Sequence, residues 1–559
     1  MRQLITFILI ILSLQLISCK NDTTKNKQEN TEEFQTKVYE ATHSQSTIKT
    51  IIDSGRIKGY TPHLYGIALL REFYANRNYK AAWTKQKSIT DALKAISNLY
   101  DDGLNPEDYH YTDIKNIADK LAQNGSIDSL EYAKFDVLLS DAIATSAAHL
   151  ISGKVDPESL KHKWDIPTES YTSVFDNAAA TFQNAIDQST ISEEINQLKP
   201  THYMYTGLKA ALKEYRGYQE KGGWDSIATG PTIKLNDKST RVLSVRARLL
   251  ASNEMEEYVP ANDTIYDSIL QHNINRFQKK YGIEADGNVG KQTLYELNIS
   301  ASFRVEQIKV NLERARWVLY NLEDKYIAVN IAAFELYFIE NNKELLTSRV
   351  IVGKQHTKSP IFKNYMQYVV INPLWTVPRS LYPGYIKKLQ NNPGYFDKKN
   401  MEVVTNSGTS IDIHNTDWSQ YNVHNFPYMI RQKAGPSNAL GYIKCMFPNK
   451  YSVYIHDTPA RTLFNKDTRA FSHGCIRTEK IRDVAELLLE PNNDGWSSEK
   501  INEIIATGKT TTISIKEKVP TLILYWTAGI GFRKNFYFKP DIYKRDPILI
   551  DALNKHHDY

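Results

Sequence analysis

Cysteine is scarce in this chain: three residues in 559, at positions 19, 445 and 475. No Cys-x-x-Cys pair and no His-Glu-x-x-His occurs, so the ligand spacings of common zinc sites are missing. Charge of one sign is lacking too. Lys and Arg total 69 against 63 Asp and Glu, and a net +6 over this length makes no case for nucleic acid. Long apolar runs are absent. The stretch Leu4 to Ile17 is broken by Thr6, Ser13 and Gln15, and its length and flanks fit a signal peptide better than a spanning helix. No internal repeat is evident. What remains, 41% hydrophobic and 24% charged, is ordinary globular composition, with length for about three or four domains.

The chemistry concentrates at Ser472-His473-Gly474-Cys475-Ile476-Arg477, with His456 upstream and fifteen residues between His456 and Ser472. A thiol is a useful nucleophile as its thiolate, which a neighbouring imidazole or a helix N-terminus favours. Downstream, Ile481, Val484, Ala485 and Leu488 share one helical face. Thr478 reads as the N-cap, which predicts a thiolate near the positive end of a helix. Gly474 permits a turn closed to other residues. A buried Cys is usually inert and a lone His usually structural. Neither explains why five such residues fall together at this spacing.

His, spacer, then Ser/Thr-His-Gly-Cys resembles the signature of the L,D-transpeptidase family of bacterial cell-wall enzymes. The resemblance implies Cys475 as nucleophile and His456 as its proton acceptor and donor. Ser472, His473 and Gly474 would shape the site and the oxyanion pocket. Arg477 stands where smaller members often carry Asn, as in large multidomain Gram-negative-type members. Two roles for it stay open: holding a substrate carboxylate, or locking the loop through an ion pair. No metal or organic cofactor is implied.

The resemblance extends along most of the chain and implies a multidomain α+β protein. Leu16-Ile17-Ser18-Cys19 resembles a lipobox, so residues 1–19 are expected to be a lipoprotein signal peptide with Cys19 as the lipidated residue. Residues 20–55, polar for most of their length, are expected to be a disordered tether. Helical patterns over 56–235, with Phe73-Tyr74, Trp83 and Asp102-Gly103-Leu104-Asn105-Pro106, resemble a helical scaffold domain. Phe277-Gln278-Lys279-Lys280-Tyr281-Gly282 and Asp286-Gly287-Asn288-Val289-Gly290 within 236–302 resemble a small three-helix peptidoglycan-binding module. From about 305 the periodicity turns to strands, giving a mostly β catalytic domain over 303–540. Within it, 373–440 are expected to form a capping insertion of the kind that often serves as a lid, and 541–559 a C-terminal tail. Cys445 is expected to be reduced and buried in a strand, because a bridge to Cys475 would block the nucleophile.

The implied activity is formation of 3-3 cross-links between peptidoglycan tetrapeptide stems through a Cys475 thioester. An L,D-carboxypeptidase that passes the same thioester to water is the first alternative, and a non-catalytic lipoprotein anchored to peptidoglycan the second. The implied setting is an exported, periplasm-facing, membrane-anchored monomer. Its partners are peptidoglycan and, through the N-terminal lipid, a membrane, with no nucleic acid.

Overall fold

A computed structural model describes residues 44–60, 63–123, 127–160, 164–167, 177–320, 322–532 and 534–555. The signal peptide and Cys19 lie outside them. So does the first part of the expected tether, but its end is folded: Gln45–Ser54 is a helix burying Ile48, Ile51 and Ile52. Three isoleucines on one helical face supply an apolar stripe that the polar composition around them concealed.

The N-terminal region is helical. Its helices surround Ser129–Ser152, which is buried on nearly every side and capped by the Asp128 carboxylate accepting from Glu131 N. Their shared core ends near Leu198. The next helix, Tyr203–Glu220, instead buries Tyr205, Leu208 and Leu212 in the core that continues into the β region. Three helices, Arg241–Ala251, Ser268–Lys280 and Lys291–Leu297, form the expected small module. Gln278 ties it together from within, bonding the Asp286 carboxylate, Asn288 O, Thr293 Oγ1 and Gly287 N.

The region after 300 does not begin as strand. Ala301–Val318 is an 18-residue helix buried on almost all faces, including Arg304, Glu313, Arg314 and Arg316. Each of these charges has a partner: Arg304 with Glu296 at 2.6 Å, Arg314 with Asp546 at 2.7 Å, Arg316 with Glu313 at 2.5 Å. Strands follow: β1 (Trp164–Asp165, lent by the helical region), β2 (Lys325–Asn330), β3 (Glu335–Glu340), β4 (Lys343–Gly353) and β5 (Ile361–Ile371). The insertion carries β6 (Trp375–Thr376), β7 (Met401–Val404), β8 (Ser410–Ile411) and β9 (Met429–Gln432). Then come β10 (Ile443–Met446), β11 (Ile455–His456), β12 (Ala470–Ser472), β13 (Ile476–Thr478) and β14 (Thr511–Leu524). The main sheet runs β1-β5-β10-β11-β13-β4-β3-β2-β14, and β14 also pairs with β5, so the sheet closes on itself.

The insertion is a small body with its own core of Tyr382, Leu389, Phe396, Val403, Trp418, Phe426 and Ile430. Its sheet runs β6-β9-β7-β8, beside a helix Tyr382–Asn391. Buried asparagines pin both its ends. Asn372 Nδ2 bonds Ile504 O and Lys509 O, and Asn438 Nδ2 bonds Pro373 O and Lys433 O. The expected tail is integral as far as residue 555: Asp546–Asn554 is a helix tied to Ala301–Val318 through Arg314.

Candidate active site

The site grows from three neighbouring strands. β11 runs antiparallel to β10 and parallel to β13, with Lys444 opposite His456 and His456 opposite Arg477. Residues in register on adjacent strands project from the same face of a sheet. A basic row, Lys444–His456–Arg477, therefore crosses the sheet beside the turn that carries Cys475.

That turn joins β12 to β13. Gly474 sits at φ +121°, backbone that side-chain-bearing residues rarely adopt. Ser472 closes the turn, its Oγ donating to Cys475 O at 2.7 Å and accepting from Gly474 N at 3.0 Å. The Gly474 N–H is thus engaged, which removes it from the expected oxyanion donors in this state. Ser359 Oγ donates to Gly474 O at 2.7 Å. Tyr543 then steadies Ser359, accepting from its N–H, while its own hydroxyl donates to Gly353 O at 2.5 Å. Arg545 Nη2 bonds Ser359 O at 3.1 Å. The C-terminal segment thereby sets the backbone under the Cys475 turn.

Cys475 does not stand at a helix N-terminus. Ile476–Thr478 is extended and paired with β4 and β11, Thr478 is buried, and the helix starts only at Ile481 with Lys480 at its cap. The expected apolar face, Ile481, Val484, Ala485 and Leu488, is buried as the periodicity implied. Strand pairing wins over the N-cap preference of Thr478 because β13 sits between two partners. Burial pushes the Cys475 thiol up, opposed by hydrogen bonds from the Tyr454 backbone and hydroxyl and by the charges of Lys444 and Arg477. Its Sγ lies 3.8 Å from Ser452 O.

His456 is buried, and its Nδ1 has no hydrogen-bond partner. Burial pushes its pKa down to about 3, with the Arg477 charge adding to the effect, while hydrogen bonds to the Asp457 and Leu440 backbone oppose it. The imidazole is therefore neutral at physiological pH, with a bare lone pair on Nδ1. Because the folded value lies below the ordinary imidazole value of 6.5, the folded protein binds fewer protons than the unfolded chain between pH 6.5 and about 3. Stability from this group is whole above 6.5 and is lost as pH falls through that window. Chemical denaturation at pH 7 and pH 4.5 should show a loss that shrinks by on the order of 2 kcal/mol in His456→Gln. An equal loss in both proteins would contradict a buried neutral His456.

His473 is exposed, its pKa lowered by partial burial and by Lys354, Arg477 and His356. Arg477 is partly buried, with Nε unpartnered. Cys475 and Tyr454 are the groups that favour its charge, and among the described residues no carboxylate pairs with it. The ion-pair lock expected as one of its roles has no partner here. Cys445 is a free thiol buried in β10, and burial pushes its pKa up to about 12. Sequence reasoning missed Tyr454 and Lys444. Tyr454 packs edge-on to His456 with ring centroids 5.4 Å apart, and Trp375 at the base of the insertion bonds its hydroxyl. Lys444 Nζ lies 4.0 Å from the Tyr454 ring centroid. The two-residue spacing of Tyr454, just before β11, and His456 within it was the available signal.

Comparison with known proteins fits this geometry. Residues 324–515 match the model of the L,D-transpeptidase catalytic domain, residues 68–212 a scaffold domain, and residues 241–297 a "Putative peptidoglycan binding domain". A Haemophilus influenzae protein named "Putative L,D-transpeptidase" is 32% identical over 308 residues, which are 53% of this chain and 61% of that protein. Two crystal structures of L,D-transpeptidases are also similar. The one from Xylanimonas cellulosilytica shows 12% identity and a TM-score of 0.16 over 53% of this chain and 100% of its own. The one from Stackebrandtia nassauensis shows 13% and 0.20, over 54% and 96%. The fold and the family match define a peptidoglycan-enzyme catalytic domain attached to two helical regions. Through residues 324–515 the chain is similar to L,D-transpeptidases, and it spans less than two thirds of the length of the Haemophilus influenzae relative.

Proposed function

We propose that this protein is a peptidoglycan L,D-transpeptidase that forms 3-3 cross-links through a thioester on Cys475. The observation that carries the reading is the Cys475 turn beside a neutral His456 whose Nδ1 is unpartnered. Cys475 attacks the carbonyl between the third stem residue and the terminal D-alanine, His456 having taken the thiol proton. The C–N bond breaks, D-alanine leaves with a proton delivered to its amine through His456, and the acyl group stays on sulfur. The side-chain amine of a second stem then attacks the thioester, transfers a proton to His456 and releases the thiolate. The Cys475 N–H and the Tyr454 hydroxyl serve as oxyanion donors, a contribution of about 3 kcal/mol when such a donor is well placed. Arg477, without a protein carboxylate, receives one from the stem. The insertion caps the groove from its Trp375 end, and the helical module guides the catalytic domain along glycan. Attachment to a membrane outside the cytoplasm through a lipid on Cys19 belongs to the same reading and is supported by the lipobox-like Leu16-Ile17-Ser18-Cys19.

Mass spectrometry of the purified enzyme incubated with a disaccharide-tetrapeptide tests this reading. The expected product is a dimer lacking one D-alanine. Tripeptide monomers alone would make the protein an L,D-carboxypeptidase, and unchanged substrate would favour the anchoring role.

A further inference from the structure

The nucleophile lacks both devices that usually hold a thiolate. The helix that follows it starts six residues downstream, and the nearby imidazole is buried and neutral. A half-buried sulfur anion still needs a positive neighbour, because desolvation disfavours it.

Among the described residues, charged and titratable groups reach the thiol from its own turn and from three neighbouring strands. From its own turn comes His473, exposed and turned among Lys354 and His356. β13 contributes Arg477, and β11 with its approach contributes Tyr454 and His456. β10 contributes Lys444. The insertion contributes Trp375, which is uncharged. Of the two cations, Lys444 is the one wedged against the group that bonds the sulfur. Its Nζ lies 4.0 Å from the centroid of the Tyr454 ring, and Tyr454 donates to Sγ. Lys444 is also stranded. Among the described residues no carboxylate pairs with it, and the one group that favours its ammonium is Cys475 itself. A partly buried ammonium with no anion other than a neighbouring thiol is costly while the thiol is neutral and compensated once it ionises.

We propose that Lys444 is the counter-cation of the Cys475 thiolate, forming with Tyr454 a sulfur-binding cradle on β10 and β11 in place of the usual imidazolium. The thiol proton passes by way of His456 to water, and the resulting S⁻ faces the Lys444 ammonium and the Tyr454 O–H. His456 then stays neutral and free to move protons during acyl transfer, and Arg477 stays free for substrate. The proposal rests on Cys475 being the nucleophile of the function proposed above, but its test needs no peptidoglycan.

The full chain is treated with iodoacetamide across pH 5–10, and alkylation is read on the Cys475 peptide by mass spectrometry, in wild type, Lys444→Met and Lys444→Arg. Removing one opposite charge at this range slows Cys475 alkylation at neutral pH by about tenfold or more. The rate rises later with pH and reaches the same plateau, and Lys444→Arg restores most of the wild-type profile. A Lys444→Met profile that superimposes on wild type would overturn the proposal. So would a lowered plateau with an unmoved midpoint, since that is what a merely structural lysine gives. A measurement on the wild type alone guards against misfolded variants. The Lys444 ε-carbon resonance should shift with the same midpoint as the thiolate ultraviolet absorbance, and a resonance blind to that titration rejects the pair. If alkylation responds to Lys444 while no stem product forms, the cradle stands and the transpeptidase reading falls.

Discussion

Cys475→Ala is expected to lower turnover on the order of 10⁴-fold or more while the domain stays folded. The two halves of that expectation rest on different contacts. Chemistry needs the sulfur, because the other hydroxyl of the turn, Ser472 Oγ, is committed to Cys475 O and Gly474 N. Folding does not need it: the turn is held by Ser472 Oγ on Cys475 O and Gly474 N, and from below by Ser359 on Gly474 O. None of these bonds uses the Cys475 side chain. Removing a half-buried sulfur whose polar contacts are Tyr454 and Ser452 O, the latter at 3.8 Å, leaves little to collapse. Intact-protein mass spectrometry with a tetrapeptide donor should show an acyl adduct on wild type and none on the variant, with unchanged thermal melts. An adduct on the variant would take the nucleophile away from Cys475. Normal cell-wall chemistry in cells carrying only the variant would support the anchoring role instead.

What could be read in advance divides by distance along the chain. The turn Ser472–Cys475 was legible because its chemistry is contiguous, and β11 ending at His456 followed from alternation in Tyr454-Ile455-His456. Lys444 was not legible, since it reaches the site only through the register of β10 on β11. Ser359 and Tyr543 were hidden for the same reason, lying 115 residues before and 69 after the Gly474 they support. The helix Ala301–Val318 was missed on different grounds. Burial on nearly all sides leaves no polar face, so the segment lacks the amphipathic period that marks a helix in sequence. The N-cap placed at Thr478 failed because β-pairing with β4 and β11 outcompetes a local helix signal. The helical regions and the β domain emerged as expected because their periodicities run over many residues.

That buried helix carries the largest stability effect to be expected in the molecule. Glu313 and Arg316 are both fully buried, and their ion pair is one node of a longer chain of contacts. Glu313 Oε1 accepts from Val155 N at 2.7 Å, while Arg316 Nη1 donates to Asp102 O at 2.9 Å and to the Tyr205 hydroxyl at 3.3 Å. Three segments of the helical region thus fasten to the helix that backs the closed sheet. Gly153 shows how tight the seam is: an added Cβ would lie 2.3 Å from Trp317 Nε1. Glu313→Ala strips from a buried guanidinium the one carboxylate that pairs with it among the described residues and orphans the Val155 N–H, so a loss of about 3–5 kcal/mol is expected in denaturant unfolding. Replacing both partners together, as Glu313→Leu with Arg316→Met, should cost less than Glu313→Ala alone, because no charge is left uncompensated. A single-variant loss below about 1 kcal/mol would show that water reaches Arg316 and that the helical region is not fastened there. The distinction bears on mechanism. A fastened scaffold fixes the sheet that aligns Lys444, His456 and Arg477, so Glu313→Ala should reduce the folded fraction yet leave Cys475 alkylation per folded molecule unchanged.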